Sequence, residues 1–231
     1  MNSDRRTATV AGILLISGIA FGILSSVPAL EYPDYLAKLS AMRTQVLLAV
    51  FFQAAMAVAY VCIAVLFHQT IKKYDGGLAI AYFAFRIIGA AFLFAGIASL
   101  SLLLSLSRDF ASAGFPYSSY FQTTGELLRT GRDLLNHVGM ILPWMTGGLI
   151  LCFSMFKMRL VPLWLSVWGI LGSALSVLST LMLMLGFIKM APPAYFIMNT
   201  PAALFELALS AYLIFKGFKP IMNNANEKGG L

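Results

Sequence analysis

LAIAYFAFRIIGAAFLFAGIASLSLLLSL, residues Leu78–Leu106, decides the class of this chain. Across these 29 positions (78–106) the only formal charge is Arg86. In a bilayer such a run must satisfy its backbone hydrogen bonds internally, so it is read as a helix. At 1.5 Å per residue it is about 43 Å long. That exceeds a hydrocarbon core of roughly 30 Å, so the helix must tilt or protrude.

Five further segments read the same way. Together the spans are expected at about 7–29, 46–67, 78–106, 134–156, 164–188 and 201–217. They form one domain over residues 1–218, followed by a polar tail over 219–231. The expected fold is therefore all-α, a polytopic six-helix transmembrane bundle. Composition agrees: 60% of residues are apolar and 11% are charged, against about 45–50% and 25% in soluble domains. Soluble enzymes, disordered chains and disulfide scaffolds are excluded on that ground. Arg5–Arg6 followed by Val10–Val27 resembles a signal peptide, but the apolar core is about 18 residues and no A-x-A follows. It is read as a retained first span.

The net charge of +7 does not point to nucleic acid, because the basic residues stand in pairs at the ends of apolar runs. That is the distribution of membrane anchors, and lipids are the expected partners. Six spans put both termini on one side. Nine Lys and Arg fall on that side (Arg5, Arg6, Lys72, Lys73, Lys157, Arg159, Lys216, Lys219, Lys228) and six on the other (Lys38, Arg43, Arg108, Arg129, Arg132, Lys189). The bias predicts cytoplasmic termini in a multi-pass protein of the cell inner membrane. Tyr32, Tyr35, Tyr117, Tyr120 and Tyr195 are expected at the outer interface, Tyr74 and Trp164 at the inner one. Asp75-Gly76-Gly77 ends the second hairpin and Pro162 opens the fifth helix. Asn199-Thr200-Pro201 reads as the cap and first position of the sixth, with Pro220 just beyond its end. Gly18-x3-Gly22 and Gly169-x3-Ser173 allow close helix contact.

Two charges lie deep inside apolar runs, Arg86 and Glu206. An isolated charge near the bilayer centre costs at least about 2.5–3.5 kcal/mol, so such groups face the bundle and find partners. Arg86 lies about 13 Å in from the inner face and Glu206 about 16 Å, on the helical rise. They are candidates for each other. The pair is either a structural fixture of helix register or a polar site open to a ligand.

A second constellation approaches the fourth span. Arg129, Arg132, Asp133, Asn136 and His137 recur at i, i+3, i+4, i+7 and i+8 and share one helical face. Pro143 then interrupts the span and frees the carbonyl of Gly139, and Gly147-Gly148 softens the next turn. Such broken helices line binding cavities in transporters; the alternative is an interfacial helix with an ordinary proline kink. Gln53 is a further buried polar group suited to a helix–helix hydrogen bond. His68 and His137 lie at opposite ends of their spans and cannot share a metal. Cys62 and Cys152 read as small apolar fillers, and the twelve methionines as soft packing. No phosphate-loop, dinucleotide, zinc or nucleophile-elbow motif occurs. No catalytic set, metal or cofactor is therefore expected. The two halves show no convincing residue match for an inverted repeat.

Three stretches carry a resemblance: YFAFRII at 82–88, RLVPLWLSVWG at 159–169, and PAALFE at 201–206 with LIFKGF at 213–218. In order and spacing they resemble the bacterial membrane family catalogued as domain of unknown function 4386, over nearly the whole chain. The resemblance implies a six-helix inner-membrane protein with Arg86 and Glu206 at the family's own charged positions. The family often carries an acid one turn after the arginine, where this chain has Gly89. That leaves Glu206 as sole partner, or leaves the arginine free for an anionic ligand. The family implies no activity, substrate or cofactor. Two functional expectations follow. One is a protein that binds or transports a small amphiphilic or anionic molecule in a polar intramembrane pocket. The other is a structural or regulatory membrane component in which the Arg–Glu pair is architectural.

Overall fold

The computed structural model describes residues 3–114, 119–188 and 193–219. Tyr117, Lys189, Pro220 and the tail beyond it lie outside the described residues. Among those described there are helices and no strands. The order is α1 (Ser3–Leu24), a 3-10 turn (Pro28–Glu31), α2 (Tyr35–Ala41), α3 (Arg43–Lys72), α4 (Gly76–Ser112), α5 (Ser119–Leu134), a π turn (Leu135–Met140), α6 (Ile141–Met158), α7 (Leu163–Met184) and α8 (Pro193–Phe215). Six helical stretches are long and apolar enough to cross a membrane, α5, the π turn and α6 together making the fourth.

The spans close into a ring. α1 packs on α3, α3 on α4, α4 on α6, α6 on α7, α7 on α8, and α8 returns to α1. Closure is sealed at the end carrying Ser3 and Lys219, here called the terminal face. Arg5 Nη2 donates to the carbonyls of Ile214 and Phe215 at 3.0 and 2.8 Å, satisfying two orphan acceptors at the end of α8. Lys73 Nζ pairs with Asp4 at 2.6 Å. Gly217 ends α8 with φ +75°, a conformation that side chains disfavour, and a Cβ there would meet Arg5 Nη1 at 2.8 Å.

Helix ends follow local chemistry. The Asp75 carboxylate accepts from Leu78 N at 2.9 Å and caps α4. Pro162 is the N-cap of α7. α8 differs from expectation: it begins at Pro193 and contains Pro201 in its interior. The two residues read as caps bond backwards instead. Asn199 Nδ2 donates to Tyr195 O and Thr200 Oγ1 to Phe196 O, both at 2.8 Å. These side chains occupy carbonyls in the turn before the proline, and the helix continues through it.

α4 is the longest element, with 37 residues and about 55 Å of rise. Its far end outruns a bilayer core and is covered by its own small core. Leu100, Leu103, Leu104 and Phe110 pack there against Leu30, Leu36 and Leu39. Tyr35, expected at an interface, is buried in this cluster, whereas Tyr32 and Tyr120 are exposed. Burial, aided by the Glu126 carboxylate, pushes the Tyr35 phenol above its usual pKa. Tyr195 is also buried, inside the bundle. Small residues set two helix contacts: a Cβ on Gly18 would lie 2.8 Å from the Tyr60 ring, and one on Gly169 2.5 Å from both Cys152 and Phe205.

Candidate functional site

Arg86 is 4% exposed and comes from the first third of α4. Its neighbour on α6 is the Gly147-Gly148 pair: a Cβ at Gly147 would touch the arginine stem at 3.3 Å. The missing side chains make room for the guanidinium to lie against α6. There it stacks on Trp144, with Cζ 3.6 Å from the ring centroid, close enough for a strong cation–π contact. Tyr60 of α3 stacks with Trp144 in turn, centroids 3.8 Å apart and planes 23° apart. The indole edge faces α8, where Trp144 Nε1 donates to Glu206 Oε1 at 3.2 Å.

One aromatic residue therefore touches both intramembrane charges. Arg86 and Glu206 themselves do not approach within the 4.0 Å of an ion pair. They line a common cavity of about 10 Å³, room for about one water molecule. Gly148, Cys152, Ser173 and Phe205 complete much of its wall. Arg86 Nε and Nη1 are buried and have no hydrogen-bond partner among the described residues. Native interiors leave few such donors unsatisfied, because each costs free energy. No acid on α4 relieves this one. At Gly89, one turn on, a Cβ would stand 3.2 Å from Met140 O, where the π turn presses on α4.

The remaining sequence candidates separate into three places. Gln53 and Asn136 meet each other: Gln53 Nε2 donates to Asn136 Oδ1 at 3.0 Å and to Leu93 O at 3.2 Å. This link fits only because Gly96 has no side chain, since a Cβ there would stand 2.2 Å from Asn136 Oδ1. His137 turns the other way, its Nδ1 3.3 Å from Tyr195 Oη on α8. Arg129, Arg132 and Asp133 stay on α5. Arg129 donates to Leu30 O at 2.8 Å and pairs with Glu126 at 2.9 Å, and Arg132 pairs with Asp133 at 3.3 Å. The shared helical face does not converge on one ligand position, because the π turn lies between Asp133 and Trp144 and inserts extra residues into the turn.

Sequence reasoning passed over Trp144, Tyr60, Ser173 and the buried role of Tyr195. A signal for Trp144 was present: it is the one tryptophan inside the fourth span, seven residues after His137.

A polar seam leads from the cavity toward the face opposite the termini. Ser173, Ser176, Ser179 and Thr180 are buried on α7. Asn199 Nδ2 donates to Ser179 Oγ at 2.9 Å, and Ser179 Oγ to Ser176 O at 2.9 Å. Tyr195, Asn199, Ala202 and Glu206 recur at i, i+4, i+7 and i+11 on α8, so one face carries the seam from His137 to the cavity. On the terminal side of the cavity Met155, Met158, Leu165, Leu209 and Leu213 are buried, with the hydroxyls of Tyr82, Ser154, Ser166 and Ser210 among them.

No curated protein and no solved structure matches this sequence. Over residues 10–217 it matches the family described as Domain of unknown function (DUF4386), and the chain belongs to that family.

Proposed function

We propose that the bundle holds a small anion at Arg86, inside a multi-pass protein of the bacterial inner membrane whose termini are cytoplasmic. The observation that carries this reading is the state of Arg86. A guanidinium 4% exposed, with two N–H groups unpartnered among the described residues, lines a cavity and pairs with no carboxylate. A delocalised, always-charged fork of donors suits an anion. A cavity of about 10 Å³ favours small ions over amphiphiles, and the flexible Met145 at its wall gives the space to exchange a water for an ion of chloride or formate size. Arg129, Arg132 and Asp133, with His137, form a charged approach rather than part of the pocket. Lipids are the surrounding partners, and nothing in the charge pattern suits nucleic acid.

The rival reading, a purely architectural fixture, is favoured by one observation: Trp144 already holds both charges in place. Thermal unfolding of the purified protein separates the two. A ligand that binds only the folded state raises the melting temperature as its concentration grows. Chloride or formate, replacing gluconate at constant ionic strength, is expected to raise it in the wild type. Arg86→Gln is expected to abolish the rise, and so is Gly148→Ala, whose Cβ would stand 2.9 Å from Ser173 Oγ and 3.7 Å from Arg86 Nη2. Equal shifts in all three proteins would sink the anion reading.

A further inference from the structure

With Arg86 and Glu206 both ionised, the charges around the cavity sum to zero before any ion enters. Arg86 contributes one positive charge and Glu206 one negative charge, and no other ionised group stands near. The ionisable neighbours on the elements around Glu206 are Tyr60 on α3, Tyr82 on α4 and Cys152 on α6. α7 carries no Asp, Glu, Lys, Arg or His, and α1 carries its charges only at Asp4, Arg5 and Arg6 on the terminal face. An added anion would therefore leave a net negative charge in a medium of low dielectric, directly beside a carboxylate. Burying an uncompensated charge there is strongly disfavoured.

Protonation of one group restores neutrality, and the geometry identifies it. Glu206 shares the cavity with Arg86 and is held at its rim by the Trp144 indole. The same carboxyl stands on the helix face that leads through Asn199 to Tyr195 and His137. Along that face the α7 hydroxyls supply further donors and acceptors. Ser176 Oγ is fully buried and has no partner among the described residues. Toward the termini Leu209 and Leu213 bury hydrocarbon, and the Ser154 and Ser210 hydroxyls bond back to Ile150 O and Glu206 O of their own helices at 2.8 and 2.6 Å.

We propose that the Arg86 site takes up its anion together with a proton, which lodges on the Glu206 carboxylate and arrives along the Tyr195–Asn199–Ser176 seam from the face opposite the termini. No covalent step is involved: the anion pairs with Arg86, and the proton neutralises Glu206. The substrate class is a small anion carried electroneutrally with a proton, equivalent to a small weak acid or a hydrogen halide. This inference rests on the anion-binding reading above.

The test uses Trp144 as reporter. The chain has three tryptophans, so Trp164→Phe with Trp168→Phe leaves Trp144 alone, one face against Arg86. Sodium formate and sodium chloride are titrated against its fluorescence between about pH 5 and 8. One coupled proton makes the apparent affinity rise about tenfold for each unit of falling pH while Glu206 is ionised. In weakly buffered solution the wild type is expected to take up about one proton per anion bound, read with a pH-indicator dye. Glu206→Gln is expected to bind with no pH dependence. Binding that ignores pH and releases or absorbs no proton would overturn the coupling while leaving the anion site standing. No response to either anion at any pH would overturn the anion site, and the coupling with it. The wild-type proton count decides the matter even where Glu206→Gln does not fold.

Discussion

Trp144 touches Arg86 with its face and Glu206 with its edge, and the two contacts make different demands. The face contact needs only a π system, which phenylalanine also offers, more weakly. The edge contact needs the indole N–H. Trp144→Phe is therefore expected to keep the stack against Tyr60 and Arg86 while removing the donor to Glu206 Oε1. Losing a hydrogen bond to a buried polar group costs about 1–3 kcal/mol. The variant should unfold more easily than Trp168→Phe, which touches neither charge. Chemical denaturation in detergent compares the two. Equal losses would mean that the indole N–H does not hold Glu206.

At the scale of the elements, the contact between α4 and the π turn rests on absent side chains. Gly96 admits Asn136, and Gly139 admits Phe92, where a Cβ would lie 2.4 Å from the ring. Gly96→Ala is expected to push Asn136 off Gln53 and cost about 1–3 kcal/mol by overpacking. Adding Asn136→Ala should recover part of that loss, because the clashing amide is then gone. A melting series of the two single variants and the double measures it; strictly additive losses would place the damage elsewhere. The same region marks how far sequence could be read. The helices themselves followed from apolar runs, and the common depth of Arg86 and Glu206 followed from the helical rise. Arg129, Arg132 and Asp133 stay on α5 while His137 turns to Tyr195, since a face drawn at 3.6 residues per turn rotates once a π turn begins at Leu135. Pro143 was read as the break; it stands three residues after the π turn in one continuous span, and Gly139, whose carbonyl it frees, lies in that turn. Trp144 escaped notice for a related reason: only the rotation of α6 after that turn aims it at both charges.

At the scale of the whole molecule, the ring of six spans fixes which groups share a face and leaves the direction of the bundle to its charges. Ser3 and Lys219 lie on one face, because Arg5 reaches the end of α8 and Lys219 N bonds Leu160 O at 2.8 Å. Lys72, Lys73, Lys157, Arg159 and Lys216 follow the ends of α3, α6 and α8 to that same face. Nine basic residues against six give the positive-inside rule a modest lever, and it points the terminal face to the cytoplasm. The seam through His137, Tyr195 and Asn199 would then run toward the periplasm. A green fluorescent protein fused after Leu231 is expected to fluoresce, and alkaline phosphatase at the same place to stay inactive. Fused after Arg108, at the opposite end of α4, phosphatase is expected to be active. The reverse pattern would turn the bundle over, and the proton path argued from Glu206 would then start in the cytoplasm, with its residues unchanged and its direction inverted.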